Sequence, residues 1–224
     1  MIGVTIDNID TLTVYGLILC SDLKIGTPEP RTKYITVPEA DGDLDLTGAL
    51  TDGEVRYGMR EISFSLFAAK DVIAATNSPA TESHFAAVRS QLMGFLHGKR
   101  RQIWLPDDPD HYFIGRFKVG EKSGYNSGRI AVTMKADPWR YKNDVTTITV
   151  TASGTVSLSN ELKSAVPTFT AEDAYATVTF NGVSHALAVG ENVFSDIKLG
   201  AGMNSISMVG VHNPIVISYQ EATL

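Results

Sequence analysis

Cysteine is nearly absent. Cys20 is the single one in 224 residues, so no intramolecular disulfide can form and the fold does not depend on an oxidising compartment. Its apolar, strand-like surroundings mark it as a buried small hydrophobe rather than a nucleophile. Long hydrophobic runs are missing too. "VYGLILC" (14–20) is apolar but short, and Asp7 and Asp10 precede it where a signal peptide wants a basic start. No run approaches the roughly 18 apolar residues of a membrane helix. The expectation is a protein made and folded in a cytoplasm. Surplus positive charge is lacking: 19 Lys and Arg face 25 Asp and Glu, a net charge of −6, which argues against general nucleic-acid affinity. There is no nucleophile elbow, phosphate loop or dinucleotide fingerprint. The histidines (His84, His97, His111, His185, His212) show no metal-ligand spacing. Nothing here calls for catalysis or a cofactor.

What is present is β-pattern. A hydrophobic content of 43% is ample for a packed core. "TLTVYGLILC" (11–20) reads as a strand, and "EISFSLFA" (61–68) alternates, with Ile62, Phe64 and Leu66 on one face. "YFIGRFKVG" (112–120) and "GRIAVTMKA" (128–136) read as strands joined through the turn-rich "EKSGYNS". One amphipathic helix interrupts them near 79–97. Ser78 is its expected N-cap and Pro79 its first residue. Phe85, Val88, Leu92, Phe95 and Leu96 recur at helical spacing, and Gly98 ends it before Lys99, Arg100 and Arg101. Composition shifts after "DPWRYKND" (137–144) to short Thr-, Ser- and Gly-rich strands, with Asn181-Gly182 as a tight hairpin turn. The expected fold is mainly β, in two domains. Residues 1–143 form a β-sandwich or split barrel with one packed helix. Residues 144–224, about 80 in number and large enough to fold alone, form a small β-sandwich.

Three clusters invite a chemical reading. In "ADGDLDLTGALTD" (40–52), Asp41, Asp43, Asp45, Thr47 and Asp52 fall on EF-hand positions. The sixth position is Leu46 instead of glycine, the twelfth is Asp52 instead of the longer Glu, and the flanks read as strands rather than helices. Leu44 and Leu46 alternate with Asp43 and Asp45, as in an extended segment. "LPDDPDHYF" (105–113) gathers Asp107, Asp108, Asp110 and His111, a conceivable metal or acid–base group, but Pro and Asp between two strands read more simply as a turn. "HGKRRQIW" (97–104) reads as a helix end carrying the charges its dipole favours.

The order of features resembles the phage distal tail protein family, Dit. "VPEADGDLDLTGAL" is similar to a family segment usually written Gly-x-Asp-Gly before Leu-Asp, with Glu39 or Ala40 here in place of the glycine. "IWLPDDPDHYFIGRF" looks like the family's Asp-Asp-Pro, Tyr, Gly-Arg hairpin, and "DPWRYK" like the end of its first domain. The resemblance implies a structural protein of the virion, assembled in the host cytoplasm. It implies a ring, commonly of six subunits, at the end of the tail tube. The first domain would build the ring and its channel, through which DNA passes without specific binding. A galectin-like second domain would dock receptor-binding or other baseplate proteins, alongside the tail-tip protein.

On this reading residues 37–56 form an extended arm. Leu44, Leu46 and Leu50 bury against a neighbouring subunit, while Asp43 and Asp45 stay wet or pair with its cations. Two rivals stand beside it. One is a carbohydrate-binding second domain using Tyr175, Phe169, Phe180, Phe194 or Tyr219, most of which look like core. The other is a metal-dependent hydrolase built on Asp107, Asp108, Asp110 and His111.

Overall fold

In this computed structural model, the residues described are 2–39, 41–49, 51, 53–68, 82–122 and 128–224. The chain divides into two compact units, Met1–Pro138 and Trp139–Leu224. The division falls inside one continuous strand, a few residues before the change in composition at Val145.

The first unit is built on one long sheet. Its strands are β1 (Thr5–Ile6), β2 (Ile9–Asp10), β3 (Leu17–Leu19), β4 (Lys24–Ile25), β7 (Arg60–Ala68), β8 (Arg100–Leu105), β9 (Asp108–Lys122) and β10 (Arg129–Lys142). The order is β2-β1-β8-β9-β10-β7-β3, with β4 also on β7. Strict alternation fixes the buried face. Ile62, Phe64 and Leu66 of β7 point inward and stand opposite Met134, Val132 and Ile130 of β10. A separate two-stranded sheet joins β5 (Tyr34–Thr36) to β6 (Asp43–Asp45).

The helix α2 (Glu82–Leu96) closes the core. Phe85, Val88, Leu92 and Leu96 repeat at helical spacing and are buried with Phe117, Val119 and Ile130 of the sheet. Each such side chain contributes roughly 1.5–3 kcal/mol by burial. Gly98, at φ 73°, turns the chain out of the helix, where a side chain would be strained. Arg101 then reaches back: its Nε donates to the Phe95 carbonyl at 2.8 Å, and its guanidinium lies 4.2 Å over the Phe95 ring. Within the basic run Arg101 thus reaches the last turn of the helix from β8, while Arg100 pairs with Asp137. Ser78 and Pro79 lie outside the described residues, as does most of the turn expected at 121–127.

One expectation fails. Residues 11–20 are not a single strand, because Thr11–Tyr15 form a short helix, α1. Asp10 caps it, accepting from the Thr13 N–H at 2.8 Å, and Gly16 ends it in the left-handed region. The buried Thr11 hydroxyl accepts from Val4 N–H at 3.0 Å and donates to Leu17 O at 3.3 Å. Local capping and a satisfied buried hydroxyl outweigh the β-propensity of "TLTVY". Cys20, just beyond β3, is half-buried, and burial pushes its thiol pKa up.

The second unit packs two four-stranded sheets. One holds β11 (Thr146–Val150), β18 (Ile215–Tyr219), β13 (Thr168–Ala171) and β16 (Gly190–Val193), in that order. The other holds β12 (Gly154–Asn160), β17 (Gly202–Val209), β14 (Thr177–Phe180) and β15 (Val183–Ala186). Phe169, Ile217 and Tyr219 from the first share a core with Leu158, Ile206, Met208 and Val178 from the second. Asn181 (φ 51°) and Gly182 (φ 83°) form the two-residue turn between β14 and β15, as expected. A short last strand, β19 (Ala222–Thr223), pairs with Arg140 and Tyr141 at the end of β10.

Candidate assembly surface

Residues 30–57 form an excursion within the first unit whose two ends lie side by side. The ends are pinned by a Pro30–Tyr57 bridge and by hydrogen bonds from Arg31 N to Arg56 O and from Gly58 N to Glu29 O, both 2.7 Å. Between them lies the β5–β6 hairpin, in the register Tyr34 to Asp45, Ile35 to Leu44 and Thr36 to Asp43. Its connecting loop contains two left-handed residues, Glu39 at φ 65° and Gly42 at φ 82°. Glu39 is one of the two positions, with Ala40, at which the resemblance implies a glycine; its Cβ makes that conformation costly by about 1–2 kcal/mol, and Ala40 lies outside the described residues. At the hairpin's other end, Leu46 N donates to Lys33 O at 2.8 Å and Lys33 N to the Thr47 hydroxyl at 3.0 Å.

The arm anticipated over 37–56 is thus a hairpin that begins earlier, at Tyr34, and stops being extended sooner. Asp43, Leu44 and Asp45 are in β6 and all three are exposed. Leu44 (53% exposed) shares a face with its cross-strand partner Ile35 (43%). Asp43 and Asp45 share the other face with Thr36 and Tyr34. Leu46 does not continue the row of Leu44. It is half-buried at the strand end, and the chain then turns through Gly48, Thr51 and Glu54. Leu50 lies outside the described residues.

Of the calcium-like spacing, Asp43 and Asp45 lie in the strand β6 and Asp52 lies outside the described residues. Asp45 accepts from the Thr47 N–H at 2.8 Å, and hydrogen bonds from Thr47, side chain first, hold its carboxyl below the usual range. That bond closes a local turn rather than aiming the carboxylate at an ion. Among the described residues no group of three or more His, Cys, Asp or Glu is placed to hold a metal. In "LPDDPDHYF", Pro106 and Asp107 form the turn between β8 and β9, where the register shifts after Trp104. His111 Nδ1 meets Asp108 Oδ1 at 2.7 Å, tying the start of β9 to its third residue on, while Asp107 and Asp110 are exposed.

Among the described residues, exposed large apolar side chains occur in both units, and within the first unit most of them fall between residues 25 and 59. Ile25, Tyr34, Ile35, Val37, Leu44, Val55 and Met59 are all exposed large side chains. A two-stranded sheet is marginal by itself in water, and one that shows Ile and Leu on a face wants a cover. Tyr34 and Ile35 were not singled out from the sequence. The signal was there in "KYIT", a β-branched and aromatic run just before the acidic loop. In the second unit Phe169, Phe180 and Tyr219 are buried as expected, whereas Tyr175 is 73% exposed and meets the His212 ring edge-on at 5.4 Å.

Over 99% of its length the chain matches 99% of the SPP1 Dit protein (gp 19.1), with a TM-score of 0.66 and 17% sequence identity. The chain has the Dit fold. The SPP1 protein is described as a paradigm of the hub adsorption apparatus in phages that infect Gram-positive bacteria. No family model and no curated protein matches the chain. The Dit likeness spans both compact units, so their mainly β architecture is shared with that protein.

Proposed function

We propose that this chain is a structural distal tail protein of a bacteriophage or prophage. It forms a ring, with six subunits as the working number. The ring joins the tail tube to the tail tip or baseplate, and DNA passes through its channel without specific binding. The first unit builds the ring. The second, a galectin-like sandwich, docks receptor-binding or other baseplate proteins. The protein acts by assembly and not by catalysis, and its place is the virion.

One observation carries this reading: a Dit fold over 99% of the chain, in which a separate two-stranded hairpin of the first unit exposes Tyr34, Ile35 and Leu44. Residues at an interface that closes by rotation must be exposed in a single chain and apolar enough to bury. Leu44 with Ile35 is that kind of pair, and Asp43 and Asp45 on the opposite face add charges that set register. Leu46 and Leu50 remain interface candidates with them. Electron microscopy of the purified protein tests the class, with a ring around a central hole as the expected image. Leu44→Asp combined with Leu46→Asp should give a folded monomer, and an unchanged mass by light scattering would sink the hairpin's role. A carbohydrate-binding reading draws on exposed Tyr175. Specific glycan-array hits that Tyr175→Ala abolishes would favour it.

A further inference from the structure

Cations crowd one cleft on the solvent side of the first unit's sheet. Met59, Arg100, Arg116, Phe117, Lys118 and Lys135 line a space of about 420 Å³, within the size range of small-molecule sites. Three strands deliver the charges in a row. Arg100 on β8 stands directly opposite Arg116 on β9. A Cβ on Gly115 would meet the Ala136 Cα at 2.6 Å, and one on Gly120 would meet the Ala131 Cβ at 3.2 Å. That alignment of β9 with β10 puts Arg116 beside Lys135. Neighbouring strands lie about 4.8 Å apart, so the row spans about 10 Å. Lys118 comes two residues after Arg116 on the same face, about 7 Å along the strand. All four cations are exposed.

Like charges at facing positions repel and weaken the strand pairs. Two acids temper the group. Asp137 pairs with Arg100, while Glu61 stands opposite Lys135 on β7 without forming an ion pair with it. The balance is four cations to two anions, in a chain whose net charge is −6. Among the described residues, nothing pairs with Lys118 or Lys135. Arg116 donates one N–H to the Gly98 carbonyl, which leaves the rest of its fork open. The unengaged donors at the cleft are therefore those of Arg116, Lys118 and Lys135. Met59, 51% exposed, supplies an apolar wall beside them.

We infer that this cleft binds a small ligand carrying two or more phosphate groups. A guanidinium meets phosphate oxygens with paired N–H donors, and ammonium groups hold them as point charges. Three cations at separate strand positions suit several linked anionic groups better than one. The bound phosphates would also relieve the repulsion within the row. Two sources share this chemistry: a free oligophosphate, and a nucleotide whose organic part lies on Met59. The inference stands apart from the ring reading, because every residue it uses belongs to one chain.

Isothermal titration calorimetry with inorganic tripolyphosphate and with ATP is the test. Ionic strength is held constant, because salt screens exposed charges. At least one of the two should bind the wild type, and Lys118→Ala with Lys135→Ala should weaken that binding at least 10-fold. Both substitutions alter exposed side chains, and an undiminished urea midpoint checks that the variant folds. ATP bound more tightly than tripolyphosphate, by a margin that Met59→Ala removes, would identify a nucleotide. Equal binding of the two, indifferent to Met59→Ala, would identify the free oligophosphate. Either result supports the phosphate site. No binding of either at millimolar concentration would overturn the inference, as would binding that the double variant retains in full. Duplex DNA that binds more tightly than both, and is lost in the double variant, would make the cleft a nucleic-acid surface and also overturn it.

Discussion

Gly115 shows what a single position can demand. It faces inward on β9, and a Cβ there would sit 2.5 Å from Lys135 O and 2.6 Å from the Ala136 Cα. Both obstacles are backbone, so the strands β9 and β10 would have to part. Gly115→Ala should destabilise the first unit by about 3 kcal/mol, read as a lower urea midpoint, and a midpoint unchanged from wild type would show that the sheet yields. Asp22 makes a different demand. Burial alone would raise its pKa, but the Ser65 hydroxyl (2.6 Å) and Ser65 N–H (3.0 Å) donate to it and the net shift is downward. A carboxyl depressed on folding adds stability that is complete above its unfolded pKa, about 3.9, and is lost as pH falls through the folded value. Asp22→Asn should therefore cost about 0.5 kcal/mol near neutrality, discounted for its exposure, and nothing once both forms are protonated. A gap between the two proteins that persists at low pH would contradict that account. Sequence shows "IGRF" and a lone Asp22 equally plainly. It does not show that β10 backbone lies against one or that Ser65 lies beside the other, because both partners are distant in the chain.

Elements were legible where one period ran long enough. The alternation of β7, the apolar stripe of α2 and the Asn181-Gly182 turn each follow from local pattern, and the core enforces them. Short elements were not. α1 has five residues, too few for a periodic signal, and its Thr and Val favour strands. Its existence depends on the Asp10 cap and the Gly16 stop. Asp10→Ala should remove the bond to Thr13 N and cost about 1 kcal/mol, seen as faster amide exchange at Thr13 than in the wild type. Equal exchange would mean that the buried Thr11 hydroxyl holds the turn alone. The hairpin mixes both cases. Alternation placed Asp43, Leu44 and Asp45 correctly on opposite faces, but the same pattern extended to Leu46, where the bond to Lys33 O and the turn beyond it end the strand. Its partner strand, three residues of "YIT", carried too little pattern to announce a pairing.

At the scale of the molecule, the order of features was more informative than any one of them. A fold shared at 17% identity leaves few side chains in common, and what survives is the sequence of strands, one helix and turns that a core of this shape requires. Composition is a weaker guide to where an independent unit starts. The Ser- and Thr-rich run opens at Val145, yet the second compact unit begins at Trp139. The reason is at its far end. Arg140 and Tyr141 pair with β19, Lys142 Nζ meets Glu221 Oε1 at 3.2 Å, and Lys163 lies 4.6 Å over the Tyr141 ring. Glu221 is buried, so removing Lys142 leaves its carboxylate with the Thr146 hydroxyl and no paired cation. Residues 139–224 should fold alone with a cooperative urea transition. Residues 145–224 should fold less stably by about 2 kcal/mol, since the Lys142 end of the pair is itself partly exposed and the full penalty of a buried charge does not apply. Glu221→Gln in the shorter fragment should recover part of that loss by removing the stranded charge. Equal midpoints for the two fragments would show that the end of β10 contributes nothing to the second unit, and an unfolded 139–224 fragment would show that the unit cannot stand without the first.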